Sequence, residues 1–412
     1  MGFYGRRVCS TKKILLKVKK VIYLLEQPFD ERNYERLGVE TWIARGWSVE
    51  VWDLTSFLHP CVWERFIKRG SVKNIEGYCS FGGIPDVMCA LRQSSNVQYV
   101  LDFTGNSFFT LLIKLYLVLR GINRIVCRLG VMPEPINDQT SFIDLKIYRF
   151  LNQGPKFLLK HTITYPFRKC IEQLIKPKVM IFAGLKGWEF RGKANNFINA
   201  HSFDYDIYLN IKNGQSTQSN VVFIDQDYCK HPDFLYENVD YPVTAAKYLP
   251  AIAGVLQKIA TTFNIDICIA AHPRSQYSSQ EIKYLKKLPI RLGETAELIR
   301  DSAVVVCHDS TAIQLAVLFK KPIVIITTDE INASIWGASI KGMAVALGKS
   351  IINIDRELDD INWQAELSID YKKYKYYKEQ YIKYNVYSDK KLWDIILDSL
   401  EKKIYSNNIS NY

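Results

Sequence analysis

Four apolar runs in the second half of the chain each end in a cluster of polar residues: "VVFIDQD" (221–227), "DICIAAHPRS" (266–275), "AVVVCHDS" (303–310) and "PIVIITTDE" (322–330). A strand that is apolar at successive positions, rather than alternate ones, is buried on both faces, as in a parallel sheet covered by helices. The segments between these runs agree with that reading. "TAAKYLPAIAGVLQKIATTF" (244–263), "ETAELIRDS" (294–302) and "STAIQLAVLFK" (310–320) place their apolar residues at helical spacing. Strand and helix therefore alternate, and the expected class is α/β with a doubly wound parallel sheet.

The first half repeats the alternation. "KVIYLLEQ" (20–27) precedes the helix-like "NYERLGVETWIARG" (33–46) and the strand "SVEVWDL" (48–54), a βαβ opening. "VQYVLDFTGNS" (97–107) leads into the apolar helix "FFTLLIKLYLVLR" (108–120), which Gly121 ends; "NRIVCRLG" (123–130), "KVMIFAG" (178–184) and "NNFINAHSFDYD" (195–206) follow. A chain of 412 residues that is 48% hydrophobic favours two cores over one. The polar stretch "NIKNGQSTQSN" (210–220) is the candidate linker, because it is rich in Asn, Gln, Ser and Gly and has no apolar period. The expected organisation is a Rossmann-like domain over 1–209, a linker over 210–220 and a second Rossmann-like domain over 221–370. A helical tail over 371–412 begins in the Tyr/Lys-rich "DYKKYKYYKEQYIKYNVY" (370–387).

Ligands of open α/β sheets collect outside the carboxyl ends of the strands. In the second half those positions are Asp225 and Asp227, then His272, Pro273 and Arg274, then His308, Ser310 and Thr311, then Thr327 to Glu330. A helix that starts at Ser310 and Thr311 presents unpaired amides and the positive end of its dipole, which favour a phosphate. The competing reading is an ordinary N-cap at Asp309 or Ser310, with His308 as a hydrogen-bonded structural histidine. In "AAHPRS" the proline restricts its predecessor and would hold the His272 ring toward the cleft, with Arg274 adding charge. His59-Pro60 and His231-Pro232 are further His-Pro pairs in the chain.

The His-Pro motif of "AAHPRS" followed by the serine motif of "HDSTAIQLAVLFKKPIV" (308–324) resembles the nucleotide-binding half of bacterial GT-B glycosyltransferases. The likeness is to the sialyltransferase-like enzymes of surface polysaccharide synthesis. In outline it is also similar to CDP-glycerol polymerases and UDP-sugar 2-epimerases. The resemblance covers residues 221–330 and departs from many sialyltransferases in lacking an "EDG"-type acidic motif. It implies a GT-B fold with a cleft between two Rossmann-like domains and a nucleotide-sugar donor, CMP-linked in the sialyltransferase case. It also implies that His272 and Pro273 contact the nucleotide, Ser310 and Thr311 its phosphate and Gln314 its ribose. With Arg274 and His308, these form the expected donor-binding set.

Sugar transfer with inversion needs a base within reach of the acceptor hydroxyl and positive dipoles on the leaving phosphate. Asp102, which ends a strand before the turn Thr104-Gly105-Asn106, is the first candidate base; its competing reading is a turn cap. Asp225 and Asp227 are second-domain candidates, and Glu26, Asp30 and Glu134 complete the acidic set. No metal and no cofactor are expected, since "DQD" (225–227) sits at a second-domain strand end and not in an exposed metal-binding loop.

The net charge is +12, and residues 145–178 alone hold eight Lys/Arg and one Glu among interleaved aromatic and aliphatic residues. That pattern suits an anionic membrane surface carrying a lipid-linked acceptor, with 108–120 as a second contact. Charge confined to one stretch, without recognition motifs, argues against nucleic acid as a partner. Nine cysteines without a CxxC pair read as reduced, buried thiols of a cytoplasmic protein, peripheral at the inner membrane face. Lysines interrupt the apolar N-terminal stretch, which argues against a secretory signal. Leading the functional readings is a glycosyltransferase acting on a capsule, lipopolysaccharide or other surface-glycan acceptor. The alternatives are an epimerase of the same fold and a CDP-glycerol-type phosphotransferase.

Overall fold

The computed structural model describes residues 18–67, 72–136, 171–190, 193–214, 216, 218–231, 234, 236, 239–356, 358–384 and 389–402. Most of the basic stretch, 145–170, lies outside these residues, as do 215 and 217 of the linker and the end of the tail.

The first sheet is built from β1 (Lys20–Leu25), β2 (Ser48–Asp53), β3 (Tyr78–Ser80), β4 (Val97–Phe103), β5 (Asn123–Arg128), β6 (Val179–Ala183) and β7 (Asn196–Ala200). Its order is β3-β2-β1-β4-β5-β6-β7, and every pairing is parallel. The second sheet comprises β8 (Asn220–Ile224), β9 (Asp266–Ala271), β10 (Ile290–Leu292), β11 (Ser302–Cys307), β12 (Ile323–Thr327) and β13 (Ile351–Asn353). It is also wholly parallel, in the order β10-β9-β8-β11-β12-β13. Both orders reverse direction once, between β1 and β4 and between β8 and β11. Those two reversals are the topological switch points where such sheets hold ligands.

The uniformly apolar runs are buried as their composition requires: β6 is buried along its whole length, and Val221, Val222, Val305, Val306, Ile323 and Ile326 are nearly inaccessible. Helices on both faces complete the layers. The long helix Ala245–Phe263 turns its Leu, Ile and Val side chains onto the second core and ends at Asn264 in the left-handed conformation. Two differences from the sequence reading have local causes. The segment 33–46 is not one helix but two, Glu31–Arg36 and Val39–Ala44, because Gly38 adopts φ 63° between them. A side chain there would collide with the Trp393 ring, so glycine is required.

Trp393 belongs to the second difference. The tail runs through Tyr371–Tyr377, with one further turn to Ile382, and then forms the helix Leu392–Glu401. That last helix packs Leu392, Trp393, Ile395, Ile396 and Leu397 into the core of the first sheet, returning the chain to the domain in which it began. Arg45 locks it there through Asp394 and Asp398, both at 2.7 Å. Among the described cysteines, Cys268 and Cys307 are buried, but Cys61, Cys79 and Cys89 are exposed, which corrects the expectation of uniformly buried thiols. No described helix is long and apolar enough to cross a membrane.

Candidate active site

Each sheet delivers its polar strand ends to its switch point, and the loops of the two domains meet. Arg274, two residues beyond the His272 turn, brings its guanidinium to 3.7 Å from Asp30 in the loop after β1. The His59 ring stands edge-on to Tyr236 at 4.6 Å between centroids. These contacts join strand-end loops of the two domains.

On the second-domain side many of the polar groups turn on one another. Asp309 accepts hydrogen bonds from Tyr228 Oη at 2.7 Å and Gln226 Nε2 at 2.9 Å, and its amide donates to Gln226 Oε1 at 3.1 Å. These bonds tie the end of β8 to the end of β11 across the switch point. His308 is fully buried: Nδ1–H donates to the Ile326 carbonyl at 2.7 Å, so Nε2 accepts from Tyr248 Oη at 2.8 Å. Burial lowers its pKa to about 4 despite the carbonyl bond and Asp309, which keeps the ring neutral. His308 is therefore a structural histidine, and its expected contact with a donor is corrected.

Gln314 is also sealed. Its side chain has no solvent exposure and neither amide atom has a hydrogen-bond partner, so the ribose contact implied by the resemblance is not available in this geometry. Ser310 and Thr311 remain at the surface, the former half-buried and the latter exposed. The following helix is short, Ile313–Leu318, so it offers a weaker dipole than a long helix would. Ser310 Oγ accepts from the Ala312 amide at 3.3 Å, a local turn bond and not a helix cap, since the N-cap is Ala312.

The His272 turn is shaped as the proline suggests, with Pro273 exposed. The Arg274 amide donates to His272 Nδ1 at 3.2 Å, so the neutral ring carries its proton on Nε2, facing His231 Nε2 at 3.2 Å. His272, expected to contact the nucleotide, engages a second histidine here. Beside it, Asp225 accepts from Tyr277 Oη and from the Asp227 amide. Asp227 adopts φ 51°, and its pKa rises to about 7, first through burial and then through the charge of Asp225. A carboxyl group that exchanges its proton near neutrality can act as acid or base.

On the first-domain side Asp102 is not placed to act as a base. It is buried, bonded to Arg124 Nη1 at 2.7 Å, to Lys114 Nζ at 3.4 Å and to the hydroxyl and amide of Thr104. Burial raises its pKa, but Lys114 and Arg124 outweigh that and hold it below the usual carboxylate range. Lys114, which interrupts the apolar helix Phe108–Leu119, is the inward-facing partner of this cluster.

The open feature of this side is a cavity of about 180 Å³ lined by Leu25, Glu26, Gln27, Asn33, Arg36 and Phe103 among others, at the β1/β4 switch point. Glu26 accepts from His59 Nε2 at 2.7 Å and from the Gly105 amide. Because a carboxylate only accepts, His59 Nε2 carries the proton and the neutral ring keeps a lone pair on Nδ1. His59 was visible only as a His-Pro pair; its pairing with Glu26 needs the β2 loop folded over the end of β1. Glu134 lies apart from this cavity, exposed and 3.9 Å from Lys186. Among the described residues no group of three or more His, Cys, Asp or Glu is arranged to hold a metal ion.

Solved structures share this architecture. The wall teichoic acid polymerase TagF matches with 11% identity over 94% of this chain and 90% of its own, at a TM-score of 0.52. The glycotransferase of kitacinnamycin matches with 11% identity over 89% of this chain and 95% of its own, also at 0.52. A UDP-GlcNAc 2-epimerase from Neisseria meningitidis, bound to UDP-GlcNAc, matches with 12% identity over 93% and 100% of the two chains, at 0.47. No family model matches the chain, and no curated protein matches it by sequence. At these identities the likeness establishes the fold: this is an α/β protein of GT-B type, with two parallel-sheet domains.

Proposed function

We propose that the chain is a glycosyltransferase that moves a sugar from a nucleotide-activated donor at the second-domain strand ends to a hydroxyl of a surface-glycan acceptor in the first domain. The observation that carries this reading is the meeting of the two switch points across one cleft, marked by Arg274 at 3.7 Å from Asp30. His59, oriented by Glu26, is the base: Nδ1 takes the acceptor hydroxyl proton as the oxygen attacks the anomeric carbon. The bond from that carbon to the donor phosphate breaks, and its electron pair leaves with the nucleotide. Ser310, Thr311 and Arg274 are the groups offered to that phosphate. Asp102 has no part in the chemistry.

A second reading has one observation in its favour. Asp227, protonating near pH 7, would give an epimerase of the same fold an acid on the face opposite His59. Product analysis separates the two, since an epimerase converts the donor with no acceptor present. The exposed side chains of Phe108, Phe109, Leu119 and Leu174 support contact with an anionic membrane carrying the acceptor.

The test is thermal denaturation with CMP, CDP, UDP, GDP and their sugars. A nucleotide at a hundred times its Kd stabilises by about 2.7 kcal/mol. His59→Ala keeps that stabilisation and lowers the transfer rate by roughly 10²- to 10⁴-fold, the usual worth of a positioned base. If no nucleotide raises the melting temperature, the reading is abandoned.

A further inference from the structure

The first-domain cavity has a second chemical feature besides the Glu26–His59 pair. Arg36 lines it together with Asn33, and its guanidinium lies over the Phe203 ring at 4.1 Å from the centroid. Arg32 stands one turn earlier on the same helix, Glu31–Arg36, and Arg274 arrives from the other domain. Three acidic groups belong to this region, and two are committed elsewhere. Asp30 caps the helix by accepting from the Asn33 amide at 2.8 Å while it faces Arg274. Glu26 is engaged by His59 and the Gly105 amide.

Asp204 and Asp30 are the acidic groups whose charge acts on Arg36 and Arg32. Burial raises the Asp204 pKa, against the pull of Arg36 and then Arg32. Burial first, and the charge of Arg32 second, depress the Arg36 pKa to about 10. A bound anion would add a counter-charge beside Arg36 and Arg32.

We infer that this cavity receives the acid group of the acceptor, a phosphate or a carboxylate, on Arg36 with Arg32 one turn away, while the acceptor hydroxyl reaches the Glu26–His59 pair. The acceptor assignment rests on the glycosyl-transfer reading; the anion site does not. Size selects the ligand class, because pockets for whole drug-sized molecules run to roughly 300–1,000 Å³ and this one measures about 180 Å³. It holds a small charged group and its neighbouring atoms, not a nucleotide. The planar guanidinium fork matches both kinds of oxyanion, so acceptors ending in a glycosyl phosphate or an acidic sugar share the required chemistry.

The experiment uses the full chain and an arginine-specific dicarbonyl reagent, with modification of Arg36 read by mass spectrometry. Inorganic phosphate and acetate are titrated in separate arms against chloride at matched ionic strength. Saturable protection of Arg36 is expected, and the arm that protects at lower concentration identifies phosphate or carboxylate as the preferred group. In Arg36→Gln, phosphate binding followed by calorimetry weakens by at least about tenfold, which corresponds to about 1.4 kcal/mol. The Arg36 carbonyl that holds Trp393 Nε1 at 2.9 Å is backbone and survives this substitution. No protection in either arm, or undiminished binding in the variant, overturns the site. Nucleotide stabilisation is measured on the same samples: if it fails while the anions still protect Arg36, the transfer reading falls, the acceptor role falls with it, and the anion site stands.

Discussion

At the β8/β11 switch point the polar side chains close on one another, whereas at the β1/β4 switch point they leave a charged cavity open. His308, Asp309 and Gln314 are buried in the first case. Glu26, Asn33 and Arg36 line open space in the second. The two places look alike in sequence, each with apolar strands followed by acids and small hydroxyl residues. The difference teaches that a polar side chain at a strand end can meet a ligand only where it is not already paired across the switch, which at the β8/β11 end leaves Ser310 and Thr311.

Three substitutions sharpen that contrast. The largest effect belongs to Asp102→Ala, which removes the carboxylate from between Lys114 and Arg124 and leaves two buried cations without a counter-charge. A loss of about 3–5 kcal/mol is expected, read by chemical denaturation. A change below about 1 kcal/mol, the range of an exposed ion pair, would mean that Asp102 is not the structural anchor described above.

Next is Asp227→Asn, whose effect depends on pH. The Asp227 pKa is raised from 3.8 to about 7 in the folded chain. Between those values the unfolded chain has released its proton and the folded one still holds it. The contribution of this group to stability is thus fully present below about pH 4 and is lost as pH rises through about 7. The amide that replaces the carboxyl group cannot ionise, so the variant gains on the wild type as pH rises, by on the order of 1–3 kcal/mol. Parallel stability profiles from about pH 4 to about pH 8 would remove Asp227 from the acid–base set.

The smallest effect concerns Gln314, whose two amide atoms are buried without partners. Gln314→Leu, close in volume, deletes both and should stabilise by about 1 kcal/mol, seen as a rise in melting temperature. A marked loss of stability would show that the amide has bonding partners and would reopen the ribose contact.

Legibility followed the range of the interaction concerned. The strands of both sheets were readable because a continuous apolar run has one stable environment. The short edge strands β3, β10 and β13 were not, since three residues carry too little pattern. Helix Leu392–Glu401 was hidden for another reason: its apolar face is meaningful only against the groove beside Gly38. In the site, strand-end positions such as Asp225, His272 and Arg274 were found where the topology rule puts them. The inward turn of His308 and the pairing of His59 with Glu26 were not, because each depends on residues distant in the chain.

By itself the sequence determined the alternation of strand and helix, the two parallel sheets and the end of each sheet at which chemistry gathers, because apolar periodicity acts over a few residues. Only the tertiary structure decided which of the gathered groups are satisfied by one another and which face the cleft. Tyr248, Ile326 and Tyr228 consume the polar atoms of His308 and Asp309. Arg36, by contrast, lines the open cavity at the β1/β4 switch point. Hydrogen bonding and charge compensation are properties of neighbours in space, and the chain assigns those neighbours only when it folds.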